Sequence, residues 1–128
     1  MKLLLDTHIW LWLFQDQRRL GPQTLQMLRD AKNELWLSAI SVWEALTLHH
    51  KGRINIRGEL AAWVARATAG MNEAVLTHEI MMVARQLPLH QDPSDRMIVA
   101  TALVWDLTLV TADTRLPGLG NIKTLANR

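Results

Sequence analysis

The chain opens Met1-Lys2-Leu3-Leu4-Leu5-Asp6-Thr7-His8. Three consecutive leucines show no alternation of apolar and polar residues. A short run of that kind reads as a strand buried on both faces, which demands helical cover above and below one sheet. An aspartate follows the run directly, and an apolar helical pattern, Ile9 to Phe14, comes next. In open α/β sheets the position after a strand is the crevice at the carboxyl ends, where ligands bind. Further ligand-binding groups must therefore come to Asp6 from the remaining sequence.

Downstream, strand patterns alternate with helical ones. Gly21-Pro22 opens a helix, proline being favoured at the first helical position, and that helix is expected to end near Lys32-Asn33. Leu35 to Leu37 reads as strand two. Ser41 is expected to start a helix that stops at Lys51-Gly52, with glycine suited to the C-terminal cap. Arg53 to Arg57 alternates polar and apolar residues and fits a short edge strand or an extended loop. Glu59 to Ala69 is helical, Ala74 to Leu76 is strand three, and Thr77 caps a helix running to Leu87, where Pro88 closes it. Pro93 to Trp105 is a further helix, Leu107 to Thr111 strand four and Ile122 to Leu125 a weak strand five. This order predicts a three-layer α/β/α fold around a central, mostly parallel sheet of four to five strands. With 128 residues, no repeat and no linker, the expectation is one domain, 1–128.

Composition narrows the class. Apolar residues make up 49% and charged residues 20%, as in soluble globular proteins. The absence of cysteine excludes disulfides and thiolate metal sites and suits a reducing cytoplasm. The first five residues resemble the start of a signal peptide, but Asp6 and His8 interrupt the apolar region and no small-residue cleavage site follows, so none is expected. No stretch is long and apolar enough to span a membrane. A net charge of +2 permits an anionic partner without requiring one. The six tryptophans mostly sit in apolar patterns and read as core or interface.

Four acids stand at element boundaries. Asp6 follows strand one, Glu44 lies in the first turn of the helix after strand two, Asp95 lies in the first turn after Asp92-Pro93, and Asp113 follows strand four. In a parallel sheet, strand ends and the starts of the following helices share one edge, so the four can meet in one crevice. Ionised carboxylates held together need compensation, and Mg²⁺ supplies it through oxygen ligands. Such a site activates water and stabilises charge on a phosphodiester under in-line attack. Each acid also has a plainer reading. Ser41-Val42-Trp43-Glu44 makes a capping box. Asp92 reads as an N-cap with Asp95 favoured by the helix dipole, and Asp113 suits a turn. Asp6 shows no obvious capping pattern. The coincidence of all four on one edge favours the metal site.

Ser38, Ser41 and Thr111 are placed to hold carboxylates or metal-bound water, with capping the equal alternative for Ser41. His49-His50 reads as a solvated helix end, and His90 as part of the Asp92 loop. Lys51, Arg53, Arg57 and Arg66 bias the middle of the chain positive, either as a solvated face or as a track for an RNA backbone. Arg96 and Arg115 adjoin Asp95 and Asp113, positions from which they offset acidic charge or touch phosphate.

These residues resemble a PIN domain, specifically the VapC-type toxins of toxin–antitoxin pairs, over nearly the whole chain. The matching motifs are Leu4-Leu5-Asp6-Thr7-His8 with the Trp10/Trp12 helix and Ser38-Ala39-Ile40-Ser41-Val42-Trp43-Glu44. They continue with His90-Gln91-Asp92-Pro93-Ser94-Asp95-Arg96 followed by Ile98 to Ala102, and Leu109-Val110-Thr111-Ala112-Asp113. The resemblance implies a Mg²⁺- or Mn²⁺-dependent endoribonuclease with Asp6, Glu44, Asp95 and Asp113 as catalytic metal-binding acids and Asp92 as a helix cap. It also implies a homodimer and a cognate VapB-like antitoxin, for which Trp10, Trp12 and Trp43 are candidate contacts. Two other classes compete. A Mg²⁺-binding receiver domain needs paired acids after strand one and an aspartate after strand three, whereas strand one offers a single acid and strand three ends Leu76-Thr77-His78. A catalytically silent RNA-binding relative is disfavoured by the complete acid quartet.

Overall fold

The computed structural model describes residues 1–88, 92–116 and 121–128. Among them, five strands form one fully parallel sheet: β1 (Lys2–Leu5), β2 (Glu34–Ser38), β3 (Asn72–Ala74), β4 (Thr108–Thr111) and β5 (Thr124–Ala126). The helices are α1 (Thr7–Gln15), α2 (Pro22–Arg29), α3 (Ala39–His50), α4 (Leu60–Ala67), α5 (His78–Gln86) and α6 (Pro93–Val104), with a short 3-10 turn at Gln17–Arg19. The strand order is β3-β2-β1-β4-β5. The chain therefore winds outward from β1 to β3, then returns to the other side of β1. The reversal lies between β1 and β4, where the following segments part to opposite faces and leave a crevice.

The leucine run behaves as its composition requires. Leu3, Leu4 and Leu5 are all fully buried. Leu3 and Leu5 pack with Ile9, Trp10, Ala45 and Trp63, so α1 to α4 cover that face. Leu4 packs on the opposite face with Ile98, Val99 and Ala102 of α6. Leu109 and Val110 of β4 divide between the two sides in the same way. Trp10 is buried completely, donates Nε1–H to the Ala67 carbonyl at 2.7 Å and meets Trp63 edge-on at 5.7 Å. It belongs to the core, and the expectation that it contacts a partner is corrected. Trp43 is 65% exposed and remains available.

Several boundaries differ from expectation. α2 stops at Arg29 because the Asp30 side chain accepts from Lys32 N–H at 2.9 Å and turns the chain early. β3 sits at Asn72–Ala74 rather than Ala74–Leu76. Its ladder with Trp36, Leu37 and Ser38 defines it, whereas Val75 is exposed. As an edge strand it has one neighbour and carries polar residues. The segment 53–57 is a loop. α3 begins at Ala39, with Ser38 as its N-cap accepting from Ile40 N–H at 3.2 Å. Ser41 therefore lies inside the first turn and Glu44 in the second, so no Ser41–Glu44 capping box forms.

Candidate active site

The end of β1 and the start of α1 position Asp6. Its backbone N–H continues the β1–β4 pairing to the Val110 carbonyl at 3.0 Å. Its side chain caps α1, with Oδ1 accepting from Thr7 N–H at 2.8 Å. Asp6 thus has a capping role that its sequence context did not suggest. Oδ2 accepts from Thr111 Oγ1 at 2.7 Å, and Thr111 Oγ1 in turn accepts from Asp113 N–H at 3.0 Å. The Thr111 hydroxyl has one proton, given to Asp6, and a lone pair that receives the Asp113 N–H. It ties the carboxyl end of β4 to that of β1.

Thr7 makes the second tie. Its hydroxyl bonds Glu44 Oε1 and lies 2.9 Å from Ser41 Oγ. One hydroxyl carries one proton. With that proton directed at the carboxylate, Ser41 donates back to Thr7. Thr7 and Ser41 are both buried. The helix turn that carries Ser41 at the front of α3 brings Glu44 one turn later onto the same side, facing α1. Burial raises the Glu44 pKa above its ordinary value. The Thr7 hydrogen bond pulls it partly back, and the negative charges of Asp92, Asp6 and Asp95 push it up again. Asp6, Asp92 and Asp95 therefore act on Glu44 through one shared field.

Asp92 caps α6, accepting from Ser94 N–H at 3.0 Å, and Asp95 lies in the first turn of that helix. Asp113 is gripped by Arg115, whose Nε lies 3.0 Å from Oδ1 and whose Nη2 lies 2.7 Å from Oδ2. That hydrogen bond, the Asp113 charge and the further charges of Asp95 and Asp92 raise the Arg115 pKa. Arg115 offsets acidic charge, as expected. Arg96 also reaches the backbone. Its Nη1 donates to the Ala84 and Leu87 carbonyls at 2.9 and 3.2 Å, closing the end of α5. Ser38 caps α3, and Thr111 and Ser41 are the hydroxyls that reach the acid network. His90 lies outside the described residues.

Among the described residues, no three acidic or histidine side chains are drawn together tightly enough to form a ready metal cage. Each acid holds its own partner, as like charges do when nothing neutralises them jointly. The donor chemistry nonetheless fits a hard divalent cation. Asp6 and Glu44 each keep acceptor capacity beyond the bonds described, all donors are oxygen, and Glu44 sits in an unbalanced negative field. Thr7 is the residue that sequence reading missed. A hydroxyl between a carboxylate and a histidine looks like an ordinary first-turn threonine, and only the fold shows it facing α3.

Residues 3–121 match the PIN domain family. This chain belongs to the PIN domain family. It is 32% identical over 116 residues to Ribonuclease VapC22 of Mycobacterium tuberculosis, spanning 89% of this chain and 88% of that protein. Solved structures share the fold. DNA-bound VapBC from Salmonella typhimurium superposes with a TM-score of 0.75 at 15% identity, covering 100% of this chain and 99% of that one. VapBC2 from Rickettsia felis, bound to a promoter DNA fragment, gives 0.72 at 15% identity with 98% of each chain covered. The three-layer parallel architecture expected from the leucine run is thus the PIN fold.

Proposed function

We propose that this chain is a divalent-metal-dependent endoribonuclease that acts, as a single domain, as the toxin of a toxin–antitoxin pair. The observation that carries the reading is the network at the β1/β4 switch point, in which Thr111 orients Asp6 and Thr7 orients Glu44. Membership of the PIN family and the relative named as a ribonuclease support it.

Asp6, Glu44, Asp95 and Asp113 would hold Mg²⁺ or Mn²⁺. When bound, the ion supplies charge neutralisation and Lewis acidity for the attack of water on a phosphodiester. The protein's own residues do the orienting. Asp6 is fixed at both oxygens, by the first N–H of α1 and by Thr111. Glu44 is fixed at Oε1 by Thr7, and its second oxygen adds further acceptor capacity. The raised Glu44 pKa marks a carboxylate whose negative surroundings the fold leaves uncompensated, which a bound cation would relieve. Arg115 holds Asp113 and puts a cation beside it that would steady an incoming phosphate. Hydrolysis adds water across one P–O bond, placing the hydrogen on the leaving oxygen.

The partners follow the same reading: an RNA substrate, a VapB-like antitoxin encoded beside this chain, and a second copy in a homodimer. The site of action in this reading is the cytoplasm; among the described residues no helix is long and apolar enough to cross a membrane. The test is cleavage of RNA by the purified chain in Mg²⁺, Mn²⁺ and chelator, with and without the neighbouring antitoxin. Cleavage with metal, none in chelator and suppression by antitoxin is the expected result. Full cleavage in chelator would overturn the hydrolytic mechanism.

A further inference from the structure

Beside the acid edge lies a groove of opposite sign. It runs along one face of α1 and is closed on the far side by the 53–57 loop and α4, with a volume of about 880 Å³. Its α1 wall starts at His8, the residue after Thr7, and continues through Trp12 and Gln15 to Arg18 and Arg19. Its other wall carries Arg53, Arg57 and Arg66.

The charges on the two walls are not equally occupied. Asp16 bonds both Arg18 and Arg19 at 3.3 Å, and Arg19 lies over the Trp12 ring at 5.8 Å. Arg53, Arg57 and Arg66 have no acidic partner within ion-pair distance among the described residues. Asp16 is the one carboxylate lining the groove among the described residues, against five guanidinium groups. Three unpaired arginines sharing one cleft repel, and a polyanion relieves them.

We infer that this groove is the binding track for the single-stranded RNA flank next to the cleaved bond, with Arg53, Arg57 and Arg66 on its phosphates. The inference rests on the ribonuclease reading above and adds where the substrate lies. An RNA strand approaching Asp6 and Glu44 meets repulsion at the acid edge, so its hold must come from neighbouring cations. The groove begins one residue from that edge, and α1 from His8 to Gln15 gives it about 10 Å of wall. Guanidinium groups contact phosphate oxygens in pairs and carry no base information. Trp12 already has His8 at 5.9 Å and Arg19 over its ring, so it holds Arg19 and does not stack bases. The track therefore sets affinity and leaves sequence choice to other surfaces.

The test is fluorescence anisotropy with a labelled, mixed-sequence single-stranded RNA, in chelator, at several salt concentrations. The double variant Arg53→Glu/Arg57→Glu should weaken binding about tenfold or more, and the slope of log K against log salt should shrink by about 0.7 for each phosphate that is no longer neutralised. Arg66→Glu should act in the same direction by a smaller factor. These side chains are exposed, and circular dichroism checks that the fold persists. Unchanged affinity and salt slope in the double variant, alongside wild-type RNA cleavage in Mg²⁺, would overturn the track while leaving the nuclease intact. Wild-type protein that neither binds nor cleaves RNA would remove both. Loss of antitoxin binding with RNA binding unchanged would assign the groove to the protein partner and overturn the inference.

Discussion

The acid edge and the arginine groove are neighbours built on opposite principles. At the edge, Asp6, Thr7, Ser41 and Thr111 are buried and joined by hydrogen bonds that reach from β1 to β4 and from α1 to α3. In a low-dielectric setting such a network fixes geometry, and losing one member leaves the others unsatisfied. In the groove, Arg53, Arg57 and Arg66 are exposed, with no acidic partner among the described residues. Their contributions are electrostatic, screened by salt and nearly additive. Substitutions at the edge should therefore be sharp and specific to chemical group. Those in the groove should be graded and specific to charge.

The largest effect is expected at Asp6. Asp6→Asn keeps the α1 cap, because asparagine caps a helix well, but removes the negative oxygen. RNA cleavage in Mg²⁺ should fall by more than about 100-fold, beyond what loss of an orienting residue costs, with the fold retained by circular dichroism. Retention of near wild-type turnover would break the contrast at its strongest point. Asp92→Asn should behave oppositely and keep substantial activity, since its observed bond is the α6 cap.

Thr7 should come next. Thr7→Val keeps the shape and deletes the hydroxyl, leaving Ser41 and Glu44 without their common partner. The expected loss is about 10–100-fold in cleavage, as for other groups that orient a metal-binding carboxylate. A stability loss of roughly 1–3 kcal/mol should accompany it, read by denaturant titration. Thr7→Ser should restore most of both. Equal behaviour of the two variants would show that the hydroxyl has no orienting role.

Much of this architecture is legible in local sequence. The double-sided burial of Leu3 to Leu5 follows from an apolar run without alternation, and the helix starts at Pro22, Thr77 and Asp92 follow from capping chemistry. What is not legible depends on cross-chain partners. β3 is defined by its ladder to β2, and its own residues Asn72 and Glu73 carry no strand signal. The true start of α3 is hidden because Ser38 and Ser41 are both good caps. Only the end of β2 shows which one is used. The link from Thr7 to Glu44 spans residues far apart in sequence, and no local pattern records it. Arg96 stands beside Asp95 in sequence, whereas the carbonyls that it bonds belong to the end of α5 and to Leu87.

The smallest effect concerns charge at the edge. The Glu44 pKa is raised in the fold, so ionising Glu44 is less favourable folded than unfolded. Its contribution to stability is therefore greatest below the ordinary glutamate pKa and declines as pH rises through the folded value. Glu44→Gln should remove that decline and raise the melting temperature at neutral pH in chelator. The rise should be on the order of 1–3 °C, because a partly exposed group is well screened. Mg²⁺ should stabilise the wild type more than the variant. A variant that melts lower in chelator would mean that the Thr7 hydrogen bond outweighs the repulsion.

Asp6, Glu44, Asp95 and Asp113 are proposed to serve one metal site, although no ready cage joins them among the described residues. Mn²⁺ binding measured by calorimetry tests it without reference to any RNA. Wild-type protein should bind Mn²⁺ with an affinity that Asp6→Asn, Glu44→Gln, Asp95→Asn and Asp113→Asn each weaken by at least about tenfold. Asp92→Asn should leave it nearly unchanged. Binding that survives Asp95→Asn and Asp113→Asn but is lost with Asp92→Asn would contradict a four-acid site and move it onto the α6 cap.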